Sequence, residues 1–559
     1  MGTAFTEGQL PESLSTRLGQ MFPRLTAAQL ERVVPHGRVR PVKRGEVLVE
    51  VGDQVAPYFV IIRGQVEIVR PSDATETLIT VHGPGQFTGE VNRLLGRRSL
   101  VRARVAESGE VIEMDRDRML ALMQTDSELG EVFMRAFILR RVLLISGGLG
   151  DVVVVGSTHC GNTLRVKAFL TRNGHPYQEI DLDCDTDVKA LLDRFHIGAE
   201  DVPVVICRGA LVLRNPTNEQ MADGLGFNDA IDLARMRDVV VVGAGPSGLA
   251  AAVYAASEGL DVLVLETNAP GGQAGSSSRI ENYLGFPTGI SGQELAERAY
   301  NQGQKFGAQF AIAKGATRLV CEGGQYAVEV GNGVAVPART VIVATGAEYR
   351  KPPFDNLSQF EGVGVYYAAT FMEAQLCSAE EVIVVGGGNS AGQAAVFLAR
   401  TARHIHLLVR SDGLAESMST YLIRRIEENP HITLHPHTEI AALEGSSHLE
   451  CIRWRDNRSG DDETRAIRHV FVMTGASPST RWLNGCLVLD AKGFVKTGPD
   501  LSADELAAAR WPLARPPHLL ETSLPGVFAV GDVRSGNVKR VASAVGEGSI
   551  AVSFAHQAL

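Results

Sequence analysis

Cysteine is scarce in this chain of 559 residues, which has seven scattered cysteines and no two of them in a CxxC pair. Because no cysteines and histidines cluster at ligand spacing, we expect no zinc, iron–sulfur or other metal site. The odd, dispersed set indicates reduced thiols in a reducing compartment instead of a disulfide framework. Long apolar runs are also missing. The longest, such as Val152–Val155, have only strand length, which excludes a membrane span.

The chain has no excess of positive charge, and its first residues lack the pattern of an export signal. The formal net charge is -10 at pH 7, so no basic surface is expected and nucleic acid is excluded as a partner. Residues 1–14 lack a basic segment followed by an apolar stretch, which predicts a cytoplasmic protein without a secretory signal. The length exceeds what one hydrophobic core can serve and predicts several domains.

Local patterns divide the chain into regions of different fold. Short alternating segments between Gly37 and Asp115 predict a β-roll, and helical spacing over 120–145 predicts a long amphipathic helix after it. This helix packs either on its own roll or on a partner subunit. From Asp151 the order strand, helix, strand, helix and paired strands predicts a thioredoxin-like module. The predicted multidomain α/β and β protein comprises the roll (1–147), the thioredoxin-like module (148–236) and twin Rossmann-like domains (237–351 with 480–559, and 352–479).

The first dinucleotide-binding fingerprint, formed by Gly243, Gly245 and Gly248, is specific because of its context. Its glycines follow a strand of four valines and open an alanine-rich helix, and Glu266 ends the next strand. Such glycines let backbone amides approach a pyrophosphate at the helix N-terminus, while the glutamate accepts a hydrogen bond from an adenosine ribose hydroxyl. The predicted contacts are Gly243, Gly245, Pro246, Ser247, Gly248 and Glu266.

Three later motifs complete a resemblance to the low-molecular-weight thioredoxin reductases, from Asp238 to the C-terminus. They are GGQAGSSSRIENYLGFP, ATGAEYRKPP and VFAVGDVRSGNVKRVASAVGEG. The resemblance implies an FAD-dependent enzyme with 237–351 and 480–559 as its FAD-binding domain. The family usually has Arg-Gln where this chain has Lys539-Arg540, and we hypothesise that a cation there raises the flavin potential. The residues implied at FAD are Gly272, Gln273 and Asn282 near the isoalloxazine, Gly346 on the adenosine side, Gly531 and Asp532 at the ribityl-phosphate region, and Arg540 and Val541 bordering the flavin.

The second fingerprint favours NADPH in the domain 352–479. Its strand partner, HIHLLVR, ends at Arg410 instead of an acid, and an arginine there suits the 2′-phosphate of NADPH. The resembling family has a second arginine where this chain has Ser411, and two glutamates near the nicotinamide where it has Gln393 and Ala394. The predicted cofactor contacts are Gly386, Gly388, Asn389, Ser390, Ala391 and Arg410.

The redox dithiol of the resembling family is missing. Its Cys-Ala-Thr-Cys motif corresponds here to Ala368-Ala369-Thr370-Phe371, so both cysteines are replaced. Cys377 lies six residues beyond, but a single thiol without a resolving partner cannot form an intramolecular disulfide. Hydride transfer from NADPH to FAD is preserved, but the group that accepts electrons from the reduced flavin is not identified.

A candidate relay lies in the thioredoxin-like module, which resembles glutaredoxin over about 151–227. Cys160 starts a helix after a strand, where the dipole and free amides lower a thiol's pKa. Thr163 replaces the second cysteine, and Val202-Pro203 matches the dipeptide whose proline is cis and faces the cysteine. Two interpretations are open: a thiol relay, or an inert docking domain.

The β-roll resembles cyclic-nucleotide-binding domains, most clearly over its first half. In that family a glutamate holds the ribose and an arginine with small neighbours holds the cyclic phosphate. The matching effector residues are Glu90, Arg98 and Ser99, but Leu100 replaces a small residue. Both cyclic-nucleotide binding and a degenerate interaction domain remain open, and no helix-turn-helix follows.

Three functions are consistent with these observations. The first is an NADPH-dependent disulfide reductase that uses Cys160. The second resembles the dithiol-less ferredoxin-NADP reductases of the same fold and would deliver electrons to ferredoxin, flavodoxin or quinone-like acceptors. The third is a redox or cyclic-nucleotide sensor without steady turnover. The resemblance also implies a homodimer, and the acceptor is left as a protein disulfide, ferredoxin or a small molecule.

Overall fold

The computed structural model describes residues 18–53, 56–71, 76–89, 98–146, 152–157, 160–182, 201–207, 211–321, 325–331, 333–446, 448–483 and 485–559. Within these ranges, no helix combines the length and the apolar character that crossing a bilayer requires. Glu90, Cys184 and the helix predicted after strand YQEIDLD lie outside the described residues.

The N-terminal region is an antiparallel β-roll closed by helices. Its sheet has the order β1-β5-β3-β4, and β2 pairs with β5. Of the two placements predicted for the long helix, the structure shows packing on its own roll, because Phe133 lies 4.3 Å from Phe87 between ring centroids. The elements are α1 (Leu18–Met21), α2 (Ala27–Val33), β1 (Arg38–Val42), β2 (Val47–Val49), β3 (Tyr58–Pro71), β4 (Glu76–His82), β5 (Arg102–Met114), α3 (Arg116–Thr125) and α4 (Ser127–Ser146).

The next region is a four-stranded mixed sheet of order β7-β6-β8-β9. Strand β6 pairs parallel with β7 and antiparallel with β8, the arrangement expected when a helix joins β6 to β7 and a hairpin joins β8 to β9. The Val202–Pro203 peptide is cis, as the resemblance to glutaredoxin implied. The elements are β6 (Val152–Gly156), α5 (Gly161–Arg172), β7 (Tyr177–Asp181), β8 (Val204–Cys207), β9 (Leu211–Arg214) and α6 (Asn218–Gly224).

The first Rossmann-like sheet has the order β12-β11-β10-β15-β14-β13, with a later strand added against β15. Strand β11 is buried along its whole length, as its valines and leucines predict for a parallel strand covered on both faces. The elements are β10 (Arg237–Val242), α7 (Pro246–Ser257), β11 (Val262–Glu266), α8 (Gly272–Gly275), α9 (Gly292–Lys305), β12 (Gln309–Ile312), β13 (Ala316–Val320), β14 (Tyr326–Val330), β15 (Val334–Val343) and β16 (Ala347–Tyr349).

The second Rossmann-like sheet is inserted into the first domain and has the parallel order β17-β24-β18-β19-β20, beside a three-stranded antiparallel sheet. Its elements are α10 (Leu357–Phe360), β17 (Val365–Tyr366), α11 (Phe371–Leu376), β18 (Glu381–Val385), α12 (Asn389–Leu398), β19 (His404–Leu408), α13 (Thr420–Glu427), β20 (Ile432–His435), β21 (Thr438–Glu444), β22 (Cys451–Asp456), β23 (Asp462–Arg465), β24 (His469–Val472) and β25 (Ala476–Pro478).

The chain then returns to the first Rossmann-like sheet. Strand β26 pairs parallel with β15, and the last helix packs along α7. The returning elements are α14 (Ala503–Ala508), β26 (Val527–Ala529) and α15 (Val541–Ala558). Together with the roll and the thioredoxin-like sheet, these two Rossmann-like sheets confirm the predicted multidomain α/β and β class.

The expectation of uniformly reduced cysteines is wrong at one pair. Cys321 and Cys486 form a disulfide with Cα atoms 6.3 Å apart and a sequence separation of 165. The pair was missed because the inserted domain separates the two cysteines in sequence. The return of the chain then brings Cys486 beside the end of β13, where its sulfur also lies 3.2 Å from the Leu319 carbonyl.

His406, which is buried on β19, and the half-buried His435 on β20 make the stability of the inserted domain depend on pH. His406 Nδ1 lies 3.1 Å from His435 Nε2, and burial lowers the pKa of His406 to about 4, assisted by the neighbouring His435 and His404. A carboxylate, Glu381, lies 3.6 Å from His406 and opposes this shift.

We expect stability to be highest above pH 6.5 and to fall toward pH 4. In that window the unfolded chain binds a proton at His406 that the folded chain excludes. Replacing His406 with asparagine is expected to flatten this dependence, so that thermal midpoints at pH 7.5 and 5 differ less than in the wild type. The exposed His431 is the control, and its replacement is expected to leave the pH profile unchanged. An unchanged profile in His406→Asn would contradict the prediction.

Candidate active site

Helix α7 presents an open N-terminus at the first fingerprint. It begins at Pro246 after Gly245, and no side chain caps it in the described structure. Helices α2, α3, α6, α9 and α14 are all capped by a Ser, Thr or Asp side chain. The backbone N–H groups of α7 therefore remain available for an external anion, as binding of a pyrophosphate requires.

Four chain segments converge around this helix end, so closely that side chains are excluded. A Cβ atom on Gly243 (φ 104°) would lie 2.4 Å from the Ala344 carbonyl oxygen, and one on Gly272 would lie 3.0 Å from the Gly245 Cα. One on Gly531 would lie 2.5 Å from Ser247 Oγ. The structure thus brings the predicted segments 243–248, 271–273 and 531–532 together, although they are far apart in sequence.

Glu266 lies at the carboxyl end of β11, as predicted for a ribose ligand. Its side chain is buried, and its two oxygens accept from the backbone N–H of Ala244 at 2.7 Å and of Asn268 at 2.8 Å. A carboxylate has about four acceptor positions. These two bonds fix its orientation and leave acceptor capacity for a ribose hydroxyl.

The remaining residues predicted at FAD range from half-buried to exposed. Gln273 Nε2 donates to the Ala347 carbonyl, and Asp532 is half-buried. Burial raises the pKa of Asp532, opposed by the charge of Lys539. The structure places Gly346 (φ 66°) with open space at its Cβ position, Asn282 and Arg540 exposed on the surface, and Val541 at the start of α15.

Sequence reasoning missed two residues that organise this region. Glu547 on α15 accepts from the Gly531 N–H at 2.7 Å and from Arg534, which holds the predicted Gly531–Asp532 turn against the helix. Tyr349 hydrogen-bonds to Ser390, and burial, together with the charge of Asp532, raises its pKa. No sequence motif marks either residue, because each acts only through contacts made across the fold.

The second fingerprint repeats the geometry of the first. Helix α12 starts at Asn389 after Gly388, again without a side-chain cap in the described structure, and nothing lies within 4 Å of a Cβ position at Gly388. Gly386 and Ala391 pack tightly, and a Cβ on Gly386 would lie 2.6 Å from the Met473 carbonyl oxygen. Through Tyr349 and Ser390, this helix end contacts the first dinucleotide region.

Arg410 is exposed just beyond β19, at the carboxyl edge of the second sheet. The same loop carries Asp412, which pairs with His437 Nε2 at 2.9 Å and Arg458 at 3.5 Å. The Arg458 guanidinium offsets part of the charge of Asp412 and so limits its effect on the attraction of Arg410 for a phosphate.

The positions of the missing dithiol contain no thiol. Ala368 is half-buried, and Phe371 begins α11. Cys377 is fully buried, its sulfur donates to the Glu373 carbonyl at 3.2 Å, and burial raises its pKa to about 12. A thiol this hard to ionise is a core residue and not a nucleophile at neutral pH.

Cys160 occupies the N-cap position of α5 and is partly exposed, with no side-chain cap at that helix end in the described structure. Thr163, which replaces the second cysteine, is buried against Gly156. Burial lowers the pKa of Arg165, one turn along α5, while the negative charge of a Cys160 thiolate raises it. This end of α5 faces the inserted domain, since a Cβ on Gly161 would lie 3.6 Å from the Glu361 carbonyl oxygen.

The opposite end of α5 is docked on the first dinucleotide region. Arg172 donates to the Gly272 carbonyl at 3.0 Å, and burial lowers its pKa while the charge of Glu266 raises it. Asn173 donates to the Asn268 carbonyl at 3.2 Å. The helix has 12 residues, so Cys160 and Arg172 lie about 17 Å apart along it at ~1.5 Å per residue.

In the β-roll, Ser99 is engaged by a backbone group, whereas Arg98 Nε is buried with no hydrogen-bond partner among the described residues. Ser99 is buried and donates to the Val101 carbonyl at 2.8 Å. The Arg98 side chain lies against Gly226, where an added Cβ would be 3.0 Å from Arg98 Nε.

Comparison with known proteins gives this geometry its family. The sequence profile described as pyridine nucleotide-disulphide oxidoreductase matches residues 237–548. The chain belongs to this family. Profiles of the cyclic nucleotide-binding domain and of glutaredoxin match residues 39–126 and 152–212.

Two relatives and one solved structure illustrate the similarity, and all three are named thioredoxin reductases. A thioredoxin reductase of Treponema pallidum is 33% identical over 318 residues, which are 57% of this chain and 95% of the relative. NADPH-dependent thioredoxin reductase 3 of Arabidopsis thaliana is 30% identical, over 63% of this chain and 65% of the relative. The structure of Lactococcus lactis thioredoxin reductase in its FR conformation has a TM-score of 0.52 at 25% identity, over 58% of this chain and 98% of that one.

These findings confirm the predicted family, enzyme class and cofactors: the chain is a thioredoxin reductase-like, FAD-dependent NADPH oxidoreductase. The residues fit FAD, because the uncapped start of α7 and the glycine contacts around it form a cradle that any Cβ would fill. When bound, FAD supplies two-electron transfer between NADPH and the acceptor.

Replacing Arg410 with alanine is expected to raise the oxidoreductase's KM for NADPH roughly tenfold or more, because a charge-assisted hydrogen bond to phosphate contributes about 1.5–3 kcal/mol. The KM for NADH, which lacks that phosphate, is expected to stay unchanged. Arg400, exposed at the opposite end of β19, provides the control in steady-state kinetics. Equal loss with both nucleotides would assign Arg410 a structural role.

Proposed function

We propose that this oxidoreductase is an NADPH-dependent disulfide reductase in which Cys160 of the glutaredoxin-like module replaces the missing dithiol. The observation that carries the proposal is the position of Cys160, partly exposed at the uncapped start of α5, on a module whose Arg172 contacts Gly272. The relatives named thioredoxin reductase support a protein disulfide such as that of thioredoxin as the substrate class.

The chemistry of Cys160 follows from its being a single thiol. Its thiolate attacks the substrate disulfide, forms a mixed disulfide and releases one substrate thiol. NADPH then supplies a hydride, which amounts to two electrons and one proton, and a second proton is taken up. Together they reduce the mixed disulfide, release the second substrate thiol and restore the Cys160 thiol. The net reaction converts NADPH, a proton and one disulfide into NADP⁺ and two thiols.

The glutaredoxin-like module has to move relative to the FAD-binding domain for this reaction. Because α5 places Cys160 about 17 Å from Arg172, which contacts Gly272, the thiol lies at the end of the helix opposite to that contact. The docked side is held by polar contacts, from Arg172 and Asn173 to backbone carbonyls and from Lys314 to Glu219 at 2.6 Å. It is also held by apolar packing, since Phe169 belongs to the same buried hydrophobic cluster as Val239. These contacts have to break for the module to move.

The proposal assigns roles to the predicted residues and domains. FAD is held by 237–351 with 480–559, through the segments around Gly245, Gly272 and Asp532, and NADPH by 352–479, through the start of α12 and Arg410. The proposal includes the cytoplasmic homodimer that the sequence analysis predicts. The profile match over 39–126 supports an effector site in the β-roll, for which a cyclic nucleotide is the family's ligand.

The first test follows the flavin of the holoprotein directly. NADPH is added without oxygen, then oxidised thioredoxin, and the flavin absorbance is recorded. Return of the absorbance with release of thiols would support the disulfide reductase. If the flavin stays reduced with thioredoxin but is reoxidised by ferredoxin, the protein is a ferredoxin-NADP reductase-type enzyme and not a disulfide reductase. If no acceptor reoxidises the flavin, the result favours a redox or cyclic-nucleotide sensor.

A further inference from the structure

A buried arginine inside the β-roll has no role in the reductase chemistry. Arg140, on α4, is 6% exposed and points into the space between the helix and the roll. Its Nε donates to the Met21 carbonyl and its Nη1 to the carbonyls of Phe87 and Gly89, each at 2.9 Å. The guanidinium carbon lies 4.7 Å from the centre of the Phe87 ring.

The charge of this guanidinium is not neutralised by the described residues. All three of its acceptors are neutral carbonyls, and Nη2 is buried with no partner among the described residues. Burial lowers the pKa of Arg140 to about 9. Nearby, His82 is 2% exposed, and its Nδ1 also lacks a partner in the described part of the chain. An unpaired charge away from water is costly, which makes the cavity selective for an anion.

The space in front of Arg140 is apolar. About 550 Å³ of empty volume, part of it open to solvent, adjoins the side chain. Two of the polar side chains around it are occupied by backbone groups: Thr88 Oγ1 accepts from the Phe59 N–H at 3.0 Å, and Ser99 Oγ donates to Val101. The walls are formed mainly by aliphatic side chains of the roll, among them Val49, Ile68, Ile79, Val101 and Ala103.

The arginine of the resembling cyclic-nucleotide site does not supply this charge. Arg98 lies against Gly226 and is not among the residues that line the cavity. The cation comes instead from α4, outside the 39–126 stretch that matches the cyclic nucleotide-binding domain. A cavity with one buried cation and aliphatic walls fits an anion with an apolar body better than it fits a ribose and a purine, which need several polar partners.

We propose that the β-roll cavity binds a small organic carboxylate with an apolar body, whose carboxylate pairs with Arg140 and whose body contacts the aliphatic walls. The ligand would lie between the strands and α4, so it would stabilise the packing of that helix on the roll. The site is independent of the electron route through Cys160.

The test is thermal unfolding and calorimetric titration of the full chain with octanoate. Octanoate is expected to raise the unfolding midpoint in a concentration-dependent way, whereas 1-octanol, which has the same chain without the charge, is not. In Arg140→Gln we expect octanoate binding more than tenfold weaker, since truncating one partner of a buried charge pair removes most of its affinity. Arg135→Gln is the matched control on the same helix, where Arg135 is exposed and pairs with Glu131.

A second variant covers the case in which Arg140→Gln fails to fold. Ala103→Leu fills the cavity from β5, keeps Arg140, and is expected to abolish the octanoate shift. Octanoate binding that survives either substitution would overturn the proposal. Equal shifts from octanol and octanoate would overturn it as well, as would stabilisation by cyclic AMP without any by octanoate. Because the readout is binding to the roll, it is unaffected by loss of disulfide turnover in a Cys160 variant.

Discussion

Replacing Cys160 with serine is expected to lower kcat/KM for disulfide substrates at least a hundredfold while NADPH still reduces the flavin at the wild-type rate. A hydroxyl cannot form the mixed disulfide, and serine keeps the size and the N-cap position of the side chain on α5. The two half-reactions separate because Cys160 lies at the end of α5 opposite to Arg172, the residue that contacts Gly272.

The measurement is anaerobic stopped-flow absorbance of the flavin, together with steady-state thiol release. Cys377→Ser and Cys451→Ser are the matched controls, since one thiol is buried in the inserted domain and the other is partly exposed on β22. Both are expected to keep disulfide turnover. Full turnover in Cys160→Ser would show that electrons leave by another route and would return the module to the inert docking role.

Replacing Gly548 with alanine is expected to cause most of the bound FAD to be lost and to destabilise the FAD-binding domain by about 3 kcal/mol, the upper end for overpacking. A Cβ on Gly548 would lie 2.1 Å from the Ser247 carbonyl oxygen, which belongs to the first turn of α7. Helix α15 would have to move away, and this movement would displace the N-terminus that is proposed to hold the pyrophosphate.

The control for this prediction lies two residues earlier on the same helix. A Cβ on Gly546 meets nothing within 4 Å, so Gly546→Ala places the same methyl group in open space. Because alanine is the better helix former by up to about 1 kcal/mol, that variant is expected to be at least as stable as the wild type. The measurements are the FAD content per chain and the thermal unfolding midpoint of both variants. Equal flavin content in the two variants would contradict the proposed contact.

The dinucleotide chemistry was predictable because its signals are local. Gly243, Gly245 and Glu266 are spaced by one strand, one helix and one further strand, so a single βαβ unit defines the site. The same holds for Cys160 at the junction of β6 and α5. The prediction for each of these residues rests on its own short segment, so a pattern within about 30 residues suffices to make it.

Other features depend on segments that meet only after folding. The disulfide between Cys321 and Cys486 crosses an inserted domain, and Tyr349 contacts Ser390 from a different sheet. Glu547 supports Gly531 from the last helix. No periodicity or spacing encodes such pairs, because they are set by how the strands and helices pack.

The sequence by itself determined the order of the domains, the family, both cofactors and the loss of the dithiol, since each depends on residue types at short spacing. Only the tertiary structure decided that Cys377 is a buried core thiol, that α5 docks by Arg172 with Cys160 at its far end, and that Arg140 enters the roll. Burial, distance and an unpaired charge are properties of packing between elements, and they exist only once the chain has folded.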